Sequence, residues 1–178
     1  MSASDTSSSA KIRAQLDHPV IDADGHTIEF MPAVREYLKD LAGGDFAARV
    51  FSGPTGFPDG WYKVSPEQRM ATRRVRPPWW GVPAENTLDR STAMLPKLMY
   101  DRLEETGVDF AIVYPTIGLL ALGTPMQEAR VALCRAINNY HRDVYAPYRD
   151  RLSPVALIPT FTPDEAIEEL NYAVGELG

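Results

Sequence analysis

Asp22-Ala-Asp24-Gly-His26-Thr-Ile-Glu29 follows directly on the short apolar run Pro19-Val20-Ile21. The run reads as a strand from about Val20 to Ala23, so carboxylates and an imidazole stand where it passes into a loop. Asp24 and His26 are two residues apart, and on an extended backbone side chains at that spacing leave the same face. One carboxylate oxygen and one imidazole nitrogen aimed at a common point are half of a divalent-metal site. The chain holds only 3 His and 1 Cys, so few residues remain to complete it. On spacing alone the plainer reading, a turn aspartate beside a satisfied histidine, is the stronger one.

Other residues of chemical interest are scattered. Arg69, Arg73, Arg74 and Arg76 lead into Trp79 and Trp80. Arginines beside aromatics can stack on single-stranded nucleic acid, or one arginine can clamp a carboxylate while a tryptophan walls a pocket. The plain alternative is a structural loop anchored by its tryptophans. Thr116 falls just past an apolar strand, at the end where barrel enzymes collect side chains. His141 lies among polar neighbours on a predicted helix and reads as a surface residue. Cys134, Asn138 and Arg151 read as packing residues. No Gly-rich phosphate loop and no Gly-x-Ser-x-Gly elbow occurs, which takes support from nucleotide and serine-hydrolase chemistry.

The bulk properties set the frame. With 178 residues, 44% hydrophobic and 24% charged, the chain fits one globular domain with a real core. A net charge of -6 argues against nucleic acid or an anionic membrane as partner. The single cysteine excludes an internal disulfide and fits a reducing compartment. No apolar stretch approaches the ~20 residues of a membrane span. Residues 1–18 read as a flexible polar tail without the apolar centre of a signal peptide, so a cytoplasmic location is expected.

Beyond the tail, strand-like and helix-like segments alternate. A helix begins near Pro32 and ends at Gly43-Gly44. A helix ending at Gly107 leads into Val108-Asp-Phe-Ala-Ile-Val-Tyr114, whose continuous apolar character predicts a strand covered on both faces. Thr124-Pro-Met-Gln127 and Thr162-Pro-Asp-Glu165 both read as helix-opening caps. Behind the second, Ala166, Ile167, Leu170, Ala173, Val174 and Leu177 form one apolar stripe. Leu152 to Ile158 reads as a third buried strand. The order predicts parallel strands joined by right-handed crossovers. Gly44 to Asp89 breaks the rhythm with six prolines and seven aromatics, and reads as an ordered loop packed over something.

Several of these segments resemble one family. Asp22-Ala-Asp24-Gly-His26 with Glu29, Pro77-Pro-Trp-Trp80, Met94-Leu-Pro96, Arg102-Leu-Glu-Glu-Thr-Gly107-Val-Asp109 and Val113-Tyr-Pro-Thr116 are similar to the amidohydrolase-related (amidohydrolase 2, ACMSD-like) family. Cys134 to Asn138, Asp150-Arg151-Leu, Ala156 to Pro159 and Ala166 to Leu170 extend the likeness, which runs from about Val20 to Gly178. It implies an α/β fold, a (β/α)8 TIM barrel with a divalent metal at the C-terminal strand ends. The implied reaction is hydrolysis or non-oxidative decarboxylation of a small cyclic or aromatic carboxylated substrate. Asp24 and His26 would be its first-strand metal ligands. Zinc comes first, with manganese or magnesium open.

Glu29 would be either a residue behind the ligands that orients them or a solvated acid opening the next helix. Arg76, Trp80 and Thr116 are the substrate-side candidates, and a homodimer is a family-level expectation. A barrel of this kind takes ~250 residues, and residues 19–178 supply about three βα units. The expectation is therefore an N-terminal portion of a longer enzyme, whose catalytic residues lie in the missing half. The rival expectation is an inactive truncated barrel serving as a binding or interaction module.

Overall fold

Phe110-Ala-Ile-Val-Tyr-Pro115, nearly continuous in apolar β-formers, is the middle strand (β2) of a parallel sheet. The structure is a computed structural model and describes residues 7–52, 65–71 and 86–178. Strand β1 (Ile21–Thr27) pairs with one side of β2, from Ile21 opposite Phe110 to Thr27 opposite Pro115. Strand β3 (Leu152–Pro154) pairs with the other, so the order is β1-β2-β3. The α/β architecture and the parallel sheet agree with the sequence expectation. Among the described residues no helix is long and apolar enough to cross a membrane.

The helices follow local signals. In α1 (Ser8–Arg13), Ser7 caps the first turn, and Arg13 reaches the Asp109 carboxylate beside β2. Part of the expected flexible tail is thus a helix, tied down by one ion pair. Helix α2 (Met31–Ala42) has Pro32 in its first turn and stops at Gly43, whose φ of +89° is cheap only for glycine. Helix α3 (Gly44–Ser52) follows at once and buries Ala47 and Val50. It occupies the start of the expected loop, which further on contains α4 (Pro66–Ala71) and the first residues of α5 (Thr87–Met94). Helix α6 (Pro96–Thr106) ends at Gly107, φ +76°, directly ahead of β2. A short α7 (Leu119–Leu122) and the 19-residue α8 (Gln127–Tyr145) connect β2 to β3, and α9 (Pro163–Tyr172) runs into a π-helical turn, Ala173–Leu177.

Among the described residues, two apolar clusters form the core. Val34 and Leu38 of α2, Ala47 and Val50 of α3, and Leu133 and Ile137 of α8 meet in the larger one. Leu103, Ala111, Val113, Tyr145 and Leu152 bury one face of β2 against α6 and α8. Val144 touches both clusters. The opposite face of β2, with Phe110, Ile112 and Tyr114, is only half-buried, so the strand is not covered equally on both sides as its sequence suggested.

Four other expectations are corrected. Strand β3 ends at Pro154 rather than Ile158, because the Asn138 side chain captures the next stretch. Its Nδ2 donates to the Leu157 carbonyl at 3.0 Å and its Oδ1 accepts from Leu157 N–H at 2.7 Å. Thr124 does not cap α8, which starts at Gln127. The Thr124 hydroxyl bonds back to Leu120, and Arg130 Nη1 takes the Thr124 carbonyl at 2.7 Å.

Thr162 does cap α9, accepting from Glu165 N–H at 3.3 Å, but the helix is turned the other way. Glu165 and Glu169 face inward, while Ile167, Leu170 and Val174 are exposed. The inward face binds Arg130 through both carboxylate oxygens of Glu165, and Arg135 and Asn138 through Glu169. His141, expected at the surface, is 2% exposed.

Candidate functional site

Residues after the C-terminal ends of β1 and β2 meet around one carboxylate. Glu29 leaves β1 two residues past Thr27 and is 1% exposed. Its Oε1 accepts the backbone N–H of Thr116 at 3.1 Å, and its Oε2 accepts those of Ile117 at 2.8 Å and Gly118 at 3.1 Å. Three successive amides in a turn make an anion-binding concavity, here filled by a side chain. Gly118 lets it close: a Cβ there would stand 2.8 Å from Glu29 Oε1 and 3.1 Å from Leu157 Cδ1.

Two effects oppose each other on this carboxyl. Burial disfavours its charge, and the amides favour it; burial wins, raising Glu29 to about 7. His141 Nε2 of α8 lies 3.7 Å from Oε1, and neither ring nitrogen of His141 has a hydrogen-bond partner. Burial lowers this imidazole to about 4. Around the pair stand Tyr140, whose hydroxyl accepts Phe30 N–H at 3.5 Å, and Tyr145, packed edge-on to the imidazole.

His26 and Thr116 are brought together. His26 Nδ1 is 3.2 Å from Thr116 Oγ1, and its ring lies 5.9 Å from that of Tyr114. Glu29 holds the backbone of the same threonine, so one residue connects the two strand ends. Asp24 stands apart from this order. The β1–β2 register slips between Asp22 and Gly25, and Asp22 Oδ1 accepts the Asp24 N–H at 2.9 Å. This bulge interrupts the two-residue alternation from which a common face for Asp24 and His26 was expected. Asp24 is exposed. Gly25 is required at the same place, since a Cβ would meet the Ile112 carbonyl at 2.8 Å.

A carboxylate and an imidazole suit a divalent cation by chemistry. Among the described residues no third His, Cys, Asp or Glu joins Asp24 and His26 in a metal-holding group. Arg73, Arg74, Arg76, Trp79 and Trp80 lie outside the described residues. Of the packing residues, Cys134 is fully buried with its thiol pushed up to about 12 by burial, and Arg151 holds the Val108 and Asp109 carbonyls. A cleft of about 540 Å³ opens elsewhere, between β3, the end of α8 and the π-helical turn. Phe110, Arg149, Leu152, Val155 and Leu177 line it, and it shares His141 and Tyr145 with the Glu29 cluster.

Sequence reasoning missed His141 and Gly118. The first left a signal: Leu133, Ile137 and His141 recur at four-residue spacing, the buried stripe of α8. The second left none. No family model, curated protein or solved structure matches the chain.

Proposed function

We propose that the chain belongs to a metal-dependent hydrolase or non-oxidative decarboxylase of the amidohydrolase-related kind, acting on a small cyclic or aromatic carboxylated substrate. In this reading its three parallel strands are part of a (β/α)8 barrel. The observation that carries it is the meeting of His26, Glu29 and Thr116 at the C-terminal ends of adjacent parallel strands, where barrel enzymes keep their chemistry. Asp24 and His26 would hold the cation, zinc before manganese or magnesium. When bound it would polarise a substrate oxygen or make a bound water acidic. Thr116 holds the ring of His26 through Nδ1, and Glu29 holds Thr116. Arg76 and Trp80 would take the substrate carboxylate and ring.

Calorimetric zinc titration of the metal-stripped chain tests this. Asp24→Ala and His26→Ala should each weaken binding by at least ~10-fold. Equal affinity in all three proteins sinks the reading. It would favour the rival, a binding module that uses the outer side of β3 and the exposed Ile167, Leu170 and Val174.

A further inference from the structure

We propose that Glu29 and His141 form a buried proton-holding pair that regulates the strand end beside His26 by loosening or tightening the turn at Thr116. The inference adds a regulatory device to the site proposed above and names groups that no metal or substrate need touch. Both side chains are buried, at 1% and 2% exposure, in different elements, and Oε1 of one faces Nε2 of the other at 3.7 Å. The imidazole has no hydrogen-bond partner to satisfy it. A buried polar ring without a partner is costly, and a closure of under ~1 Å brings Nε2 within hydrogen-bond range of Oε1.

The two oxygens of Glu29 are not equivalent. Oε2 holds two amides, Ile117 and Gly118, while Oε1 holds Thr116 alone and faces the imidazole. At high pH the carboxylate accepts all three amides and His141 is neutral, with its ring hydrogen on Nε2 directed at Oε1. One added proton enters the pair and stays between Oε1 and Nε2. Either Nε2–H⁺ donates to the carboxylate, or Oε1–H donates to Nε2 while the ring hydrogen moves to Nδ1. In the second form Oε1 is a poorer acceptor, so the Thr116 amide loses most of its bond while Ile117 and Gly118 keep theirs. Thr116 Oγ1 is the group at His26 Nδ1, so the change reaches His26 without any new contact.

The surroundings permit this. The titratable groups around the pair are Tyr140 and Tyr145 on α8, both raised by burial and so neutral, and His26 on β1 behind Thr116; on the cleft side of His141 stand the cationic Arg142 and Arg149. The causes that set the Glu29 proton are burial first and then the backbone amides of Glu29, Gly118, Ile117 and Thr116. The elevation of Glu29 to about 7 puts the step in the physiological range.

The test is a pH titration of the isotope-labelled 178-residue chain by NMR, from about pH 5 to about pH 9. The Glu29 carboxyl carbon, the His141 ring and the Thr116 amide should shift with one common midpoint near neutrality. The Thr116 displacement should exceed those of Ile117 and Gly118. Glu29→Gln should abolish the step at Thr116 and His141 alike. A Glu29 carboxyl that finishes titrating near the ordinary value of about 4.3, or a Thr116 amide that stays flat, overturns the proposal on the wild-type chain alone. A step that persists in Glu29→Gln overturns it as well. Zinc added to the same sample reads the metal proposal separately, through the His26 ring. A shared step without any zinc response at His26 upholds this inference and sinks the metal reading.

Discussion

Two buried acidic seams in this molecule solve the same problem in opposite ways. At the α8–α9 seam, Glu165 and Glu169 are buried against Arg130, Arg135 and Asn138, and Arg130 also stacks on Phe161 at 3.8 Å. At the β1–β2 end, Glu29 is buried against three backbone amides and an imidazole with no bond of its own. The guanidinium beside Glu165 holds its carboxyl below the usual range, while burial pushes Glu29 up. Burial alone therefore does not decide whether an acid is ionised. A full opposite charge keeps Glu165 an anion at neutral pH, whereas amide dipoles leave Glu29 near the balance point. The first seam is built to stay as it is; the second is built to respond.

Breaking the arginine seam should cost most. Arg130→Met leaves Glu165 buried and unpaired, and denaturant unfolding should show a loss of about 3–5 kcal/mol. Adding Glu165→Leu to that variant should recover most of the loss, because the charge is then gone with its partner. A double variant as unstable as the single one would mean that the pair does more than neutralise itself.

The responsive seam should show itself in pH dependence. Glu29 sits above its ordinary value, so the folded chain binds that proton more tightly than the unfolded chain does. The stability this provides is full below about pH 4.5 and is lost as pH rises to about 7. His141 is lowered from 6.5 to about 4, so its contribution is present above about pH 6.5 and is lost as pH falls toward 4. Each is worth on the order of 3 kcal/mol, with opposite sign over nearly the same window. The two should cancel in the wild-type chain, leaving stability nearly flat from about pH 4.5 to 6.5. In Glu29→Gln only the histidine remains, and stability should climb by about 3 kcal/mol across that window. Urea unfolding at a series of pH values checks this, and parallel curves for the two proteins would remove Glu29 from the account.

Gly118→Ala perturbs the Glu29 seam from the backbone side. The added methyl meets Glu29 Oε1 at 2.8 Å, with Leu157 Cδ1 behind it. Unfolding measurements should give a loss of about 1–3 kcal/mol. Leu170→Gln on the outer face of α9 should give the least, within about 0.5 kcal/mol by thermal melt. A large loss there would restore the apolar stripe to the interior and reverse the orientation of that helix.

Much of the local structure was legible in the residues. Pro32 and Gly43 bracket α2, Gly107 ends α6, Thr162 caps α9, and Phe110 to Pro115 is a strand. These are short-range matters of φ, capping and β-propensity. The failures are of another kind. The α9 stripe from Ile167 to Val174 pointed to burial, but the helix has its polar side inward because Arg130 and Arg135 of α8 wait there. Leu152 to Ile158 looked like one strand, but the Asn138 side chain outcompetes the sheet for Leu157.

The candidate site divides along the same line. That acids and a histidine cluster from Asp22 to Glu29 is written in the sequence, as is Thr116 at the end of a strand. That Glu29 reaches across to the amides of residues 116–118, more than eighty positions away, is decided only when β1 and β2 pair in parallel. The fate of Asp24 rests on a one-residue slip in that pairing, which propensity does not encode. Residue types and nearest-neighbour geometry belong to the sequence. Which buried carboxylate meets an arginine and which meets an imidazole belongs to the tertiary structure, because charge and solvation depend on neighbours that the fold alone supplies.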